Sequence, residues 1–470
     1  MSLPRSRPSE QGVDAAAVLA FVEAVDADPT VEVHSLMVLR HGHVVAEGWW
    51  APHTPDRARL LYSLSKSFTS LALGFAVAEG LVSLDDPVLR FFPELDAEVT
   101  DPRSRATTLR HLAAMASGHD RDVWEEAVAR DLEEPVRGFL TLPPEAEPGT
   151  VFAYNQCCTY TVAAALQRVS GSTLVDFLRP RLLDPLGIGE VGWQAWPAGR
   201  QLGFSGLFAR TEDVAALGRL LLARGAWDGR QLLDPSYVDL ATAAHVSTGA
   251  RDEGPDWQQG YGFQFWRSRH GFRGDGAFGQ FCLVLPDQDS VVAITAGTEQ
   301  TQTLLDHVWD QLLPGLGTSA GGPEAAGAER ALADRLATLS LPACPGEGEP
   351  RPGGYDVVER NREGAAPFVR VELGDGRLTL AEEGDEVTVP LGVGAWRTTV
   401  ARTRQGAEIA LAVSGGEDAG RARVEVILLE TPHRLDIVCD NGTGTAEVTW
   451  RDVPLRWDGL GSLRVPEPRG

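Results

Sequence analysis

The chain has 470 residues, 43% of them apolar and 23% charged, a composition of folded globular proteins with room for two or three domains of about 150 residues. Its 66 acidic against 42 basic residues leave a formal charge of −24, which argues against nucleic acid as a partner, because phosphate binding needs the opposite sign. No apolar run approaches the ~18 residues that span a bilayer, and acidic residues interrupt the N-terminal stretch early; a cytoplasmic protein without a membrane partner is expected.

Taken in chain order, residues 33–50 read as two strands about the turn Arg40-His41-Gly42-His43, with both histidines solvated rather than paired on a metal. Phe68, Leu71, Phe75 and Ala78 then recur at helical spacing until Gly80; a helix apolar nearly all round is a buried one. Asp85 and Asp86 read as turn caps rather than a catalytic carboxylate pair. Residues 107–117, 157–170, 174–183 and 213–224 carry helical patterns. Residues 261–266, 278–285 and 290–296 read as strands, and 303–313 as an amphipathic helix. Strands at both ends of a helical middle predict an α+β layout, one antiparallel sheet with helices packed on it.

Residues 314–323 form a linker by composition, 324–340 a helix, and 344–354 a second flexible stretch. From Tyr355 short strands and turns alternate, predicting an antiparallel barrel or sandwich. The expected domains are therefore 1–315, a linker with one helix over 316–346, and an all-β domain over 347–470.

The basic residues are distributed in an uneven way. Lys66 is the only lysine; the other 41 cations are arginines. Arginine does not lose its proton in a protein, whereas a buried lysine can, so a position that keeps lysine is a candidate general base. The five cysteines (157, 158, 282, 344, 439) show no metal-ligand spacing and read as small buried thiols.

Ser63-Leu64-Ser65-Lys66 places a serine and this lysine on one face at the start of the buried helix, within hydrogen-bond reach of each other. The helix N-terminus disfavours a charged lysine and favours an oxyanion on an acyl group attached to Ser63. Lowering the lysine from about 10.4 to near 7 takes roughly 4 kcal/mol, which burial can supply. Ser65 and Ser67 point elsewhere and read as structural.

The stretches YSLSKSFTSLALGFAVAEG, LRHLAAMASGH, FAYNQCCTYTVAAALQRVSG and GDGAFGQFCLVLP, in this order across about residues 12–315, resemble the serine β-lactamase/penicillin-binding-protein superfamily, class C-like. The resemblance implies a β-lactamase/transpeptidase-like sheet and a proton-shuttling tyrosine at Tyr154. It also implies a second-motif amide at either Asn155 or Gln156. The third motif falls on Gly274-Asp275-Gly276, similar to the Trp-Gly-Gly of some esterases and without a cation to grip a β-lactam carboxylate. It further implies an oxyanion hole from the backbone N–H groups of Ser63 and Ala277, and no metal or organic cofactor. Arg267, Arg269, His270 and Arg273 form a basic cluster that is either a substrate-anion site or a solvated strand end. His307 is either an active-site histidine, as in some relatives, or a helix-face one.

Size and layout look most like the penicillin-binding-protein-type thioesterases of nonribosomal peptide assembly, which carry a C-terminal lipocalin-like β domain. That likeness implies a stand-alone enzyme that takes a peptidyl thioester ending in a D-residue from a carrier protein of a peptide synthetase and cyclises it head to tail. The alternative is a broad esterase or D-amino-acid amidase in which water resolves the same acyl-enzyme.

Overall fold

Why the first sheet forms is visible in its burial. The strands β1 (Val33–Arg40), β5 (Gln280–Leu285) and β6 (Ser290–Ala296) are buried along nearly their whole length, as strands covered on both faces must be. With β2 (His43–Trp49), β3 (Trp266–Arg267) and β4 (Phe272–Gly276) they make a six-stranded antiparallel sheet in the order β2-β1-β6-β5-β4-β3. Met37 faces Ala293 and Cys282 faces Gly274 across it. The structure is a computed structural model and describes residues 2–249, 251–318, 323–346, 348–358, 364–418 and 420–466.

Helix α1 (Ala15–Ala27) packs with the 301–312 helical segment, while α2 (Ser65–Ala78) and α3 (Gln156–Ser170) pack on each other in the helical middle. Helix α4 (Thr211–Leu222) lies on the sheet, so close that a Cβ on Gly218 would stand 2.4 Å from Val291. All residues from Ser65 to Ala76 are buried, as the all-round apolar pattern of α2 predicts. The predicted helix over 107–117 shortens to Leu109–Ala113, because the Thr108 side chain caps its start; a separate short helix, Pro102–Ala106, precedes it. The predicted strand 261–266 contracts to Trp266–Arg267, and β5 starts at Gln280, since Phe278 and Gly279 turn the chain with φ of +63° and +82°. No described helix is long and apolar enough to cross a membrane, and the five cysteines are free and buried.

The C-terminal domain is a ten-stranded sheet from Gly353–Val357 to Thr445–Trp450. Its strands bury alternate residues, such as Phe368, Val371 and Leu373, into one interior. The sheet curls into a nearly closed, barrel-like form: Arg397–Arg402 comes alongside Asp385–Pro390 without completing the ladder. The first of the strands expected from Tyr355 onward is found as Gly353–Val357, and residues 359 and 360 lie outside the described residues. The helix of the expected linker, α5 (Pro323–Leu336), packs on α1 and β2, with Arg335 paired to Asp26.

Candidate active site

Ser63 sits in the single 3₁₀ turn Tyr62–Leu64, which runs directly into α2. Lys66 is 1% exposed, and three oxygens surround its Nζ: Ser63 Oγ at 3.0 Å, Gln156 Oε1 at 2.7 Å and the Phe204 carbonyl at 2.9 Å. Burial pushes this amine down to about 7, against the opposing pull of Asp122, Asp275 and Cys158. The geometry explains what the neutral form does. Gln156 Oε1 and the Phe204 carbonyl can only accept, so they hold the two N–H bonds of an –NH₂ group and leave its lone pair directed at Ser63. The Phe204 carbonyl arrives there because Gly203, at φ +71°, lets its loop approach Ala163, where a Cβ would stand 2.4 Å away, and because Thr69 Oγ1 donates to the Gly203 carbonyl at 2.9 Å.

Tyr154 precedes α3. Its ring stacks on Trp266, centroids 5.4 Å apart at 26°, and meets Tyr261 edge-on. Burial pushes the Tyr154 pKa up, with Ser63 and Trp266 opposing, so the phenol keeps its proton at neutral pH. Gln156 and Asn155 separate cleanly. Gln156 reaches Lys66, whereas the Asn155 side chain turns back to cap α3, accepting from the Cys157 amide at 3.0 Å, and is fully buried. Asn155 is therefore a cap and not a substrate-facing residue.

Gly274 and Gly276 line the protein rather than the cleft. A Cβ on Gly274 would stand 2.8 Å from Ser67 Oγ, and one on Gly276 2.2 Å from the Leu61 carbonyl. The two glycines let β4 lie against the Ser63 turn, which brings Ala277 beside it. Asp275 faces the other way and accepts from Arg273 Nε at 2.8 Å; burial raises its carboxyl pKa, with Arg273 and Lys66 opposing. The basic cluster is spent on carboxylates: Arg273 is fully buried on Asp275 and the Asp256 carbonyl, and Arg269 bridges Asp256 and Asp306. Arg267 donates to the Thr242 carbonyl, while Arg269 and His270 are exposed; the cluster is no open anion site, and the strand end is solvated at Arg269 and His270. His307 is also not at the site; its Nε2 lies 3.0 Å from Asp28 Oδ2 at the C-terminal cap of α1, because its helix face turns toward α1. Asp122 and Trp266 join the site without any sequence signal. Asp122 accepts from the Gln156 amide at 3.1 Å, and both make long-range contacts that no local spacing encodes.

Residues 20–313 match the Beta-lactamase family. The chain belongs to the β-lactamase family. This family member is similar to the 6-aminohexanoate-dimer hydrolase of Paenarthrobacter ureafaciens, 27% identical over 55% of this chain and 71% of that one. It is also similar to a lovastatin esterase of Penicillium rubens, 29% identical over 37% of this chain and 49% of the relative. Among solved structures, the octameric penicillin-binding protein homologue from Pyrococcus abyssi aligns with TM-score 0.51 and 17% identity over 93% of this chain and 100% of its own. SurE with D-Leu aligns with TM-score 0.50 and 19% identity over 92% and 98%. These two likenesses concern the fold and extend across both domains. The β-lactamase family assignment and its hydrolase and esterase relatives make this chain an enzyme of the serine hydrolase superfamily.

Proposed function

We propose that the enzyme carries acyl groups on Ser63 and hands them to an amine: a stand-alone thioesterase that releases and head-to-tail macrocyclises a nonribosomal peptidyl thioester ending in a D-residue. The observation that carries acyl transfer is the buried Lys66 amine, 3.0 Å from Ser63 Oγ and driven to about 7. Neutral Lys66 takes the Ser63 proton as Oγ attacks the thioester carbonyl. The backbone N–H groups of Ser63 and Ala277 receive the developing oxyanion, and Tyr154 gives its proton to the leaving thiolate. In the second half the peptide's own amine attacks the acyl-enzyme and gives its proton to Tyr154, regenerating the phenol; Lys66 returns its proton to Ser63 Oγ as the C–O bond breaks, so serine and neutral lysine are both restored. No step needs a metal or cofactor.

Support for the peptide substrate is the two-domain layout shared with SurE, a structure solved with D-Leu, and a barrel-like domain that we read as lipocalin-like. A carrier protein of a peptide synthetase would deliver the substrate, in the cytoplasm. The esterase or D-amino-acid amidase reading, with water as the acceptor, is favoured by the curated esterase relatives. A peptidyl thioester mimic with a D-configured C-terminal residue separates them. Cyclic product with a transient adduct on Ser63 supports the cyclase; linear acid alone, with preference for simple p-nitrophenyl esters, supports the esterase. An adduct on any other residue rejects both.

A further inference from the structure

The C-terminal domain reaches the nucleophile turn through the loop between its strands Arg421–Leu428 and Arg434–Asp440. The Leu60 amide donates to the Glu430 carbonyl at 2.8 Å, and Arg59 Nη2 to the Thr431 carbonyl at 3.0 Å. A Cβ on Gly297 would stand 2.7 Å from the Pro432 carbonyl, so this loop is seated directly on the catalytic domain.

At its end is His433, which is fully buried. The Tyr62 hydroxyl and His433 Nε2 are 2.5 Å apart, and His433 Nδ1 is 2.9 Å from the Asp452 carbonyl. A carbonyl only accepts, so Nδ1 carries the hydrogen and Nε2 presents its lone pair to the Tyr62 O–H. The imidazole also meets Phe278 edge-on, centroids 5.0 Å apart, while Tyr62 and Phe278 lie 5.3 Å apart.

The positions of those two aromatics in the chain matter. Tyr62 immediately precedes Ser63 and Phe278 immediately follows Ala277, the two residues whose amides are assigned to the oxyanion hole. Both aromatics have left-handed backbones, φ +47° and +63°, which side-chain-bearing residues hold only when their surroundings enforce it. Gln280 Nε2 fastens the second of these turns from behind, donating to the Ala277 carbonyl at 3.2 Å and the Phe278 carbonyl at 3.1 Å.

We propose that His433 is a positioning residue: from the C-terminal domain it holds Tyr62 and Phe278 in their left-handed conformations and thereby aims the Ser63 and Ala277 amides at one oxyanion. The β domain is then a working part of the acylation site. This rests on the role given above to Ser63 and Ala277. An anchor that only glued two domains together would change stability and leave the chemistry alone.

The test uses the full chain and two readouts besides thermal melting: the rate at which a fluorophosphonate probe labels Ser63, and kcat and KM for p-nitrophenyl butyrate. Tyr62→Phe removes one hydroxyl and leaves the ring packing in place. Outright loss of an oxyanion donor costs about 10²–10³ in kcat, so misaiming both donors is expected to lower kcat and labelling at least about tenfold, with KM within about threefold. His433→Leu should do the same, and the double variant should be no slower than either single one, since both remove one contact. His433→Gln, whose Oε1 can accept the tyrosine proton, should return to within about threefold of wild type. Wild-type rates in Tyr62→Phe overturn the proposal, as do additive losses in the double variant. If His433→Leu does not fold, Tyr62→Phe decides. A wild-type enzyme whose Ser63 takes no probe rejects the nucleophile assignment itself, a different failure.

Discussion

The proposed reaction concentrates its proton transfer in one side chain, Lys66. Burial lowers its pKa to about 7, and Asp122 and Asp275 hold it from falling further. Half of the molecules then hold a neutral base near pH 7, and acylation should rise with pH through about 7 and level off above it. Asp122→Asn removes a charge that favours the ammonium form, so the rising limb of kcat/KM should move to lower pH. Lys66→Arg keeps the charge and removes the lone pair; acylation is expected to fall by roughly 10²–10⁴, measured by the pre-steady-state burst. A variant that keeps its burst would remove lysine from the role of base.

The functional element is a junction, the nucleophile turn pressed against the end of β4. That pressure is possible because Gly276 has no side chain: a Cβ would stand 2.2 Å from the Leu61 carbonyl and 3.2 Å from the Leu64 amide. Backbone cannot swing aside as the end of a flexible side chain can. Gly276→Ala should therefore cost about 1–3 kcal/mol of stability and push Ala277 away from Ser63, lowering kcat more than it raises KM. Urea titration beside steady-state kinetics checks both; an alanine variant with wild-type kcat would show that the contact is not needed. On the other wall, α3 starts at its Asn155 cap and so presents Gln156, its first residue, to Lys66. Much of the site was legible here. Ser63 and Lys66 lie within one helical turn, where spacing alone brings side chains together. The choice between two adjacent amides was not legible, because it depends on which one the helix uses as its cap.

For the whole molecule, charge ties the domains together. Arg434, 4% exposed, bridges Glu32 of the catalytic domain at 2.8 Å and Glu425 of its own, and Arg451 reaches Glu32 at 3.1 Å. Burial pushes the Glu32 carboxyl up, yet His34, Arg434 and Arg451 overcome this and hold it at about 2. Since that lies below the ordinary value of about 4.3, the interface is fully stabilised above pH ~5 and weakens as pH falls toward 2. Arg434→Leu removes the guanidinium that Glu32 and Glu425 share and leaves Arg451 facing both carboxylates; it should cost less than the ~3–5 kcal/mol of a buried charge stripped of every partner, read as a lower urea midpoint. A midpoint unchanged from wild type would mean that the bridge contributes nothing net.

The sequence by itself determined what local spacing and composition encode: an α+β unit followed by a β-rich one, a buried helix headed by Ser63 and Lys66, and the single lysine that we propose as the base. These follow from periodicity within a few residues and from the different proton affinities of lysine and arginine. Only the tertiary structure decided the rest. His307 went to Asp28 rather than to the site, Arg269 and Arg273 of the basic cluster were taken by Asp256, Asp275 and Asp306, and Gly274 and Gly276 proved to be places of close approach. His433 came from 371 residues further along the chain to meet Tyr62. Contacts between residues so distant in sequence are set by how the elements pack, and no spacing along the chain records them.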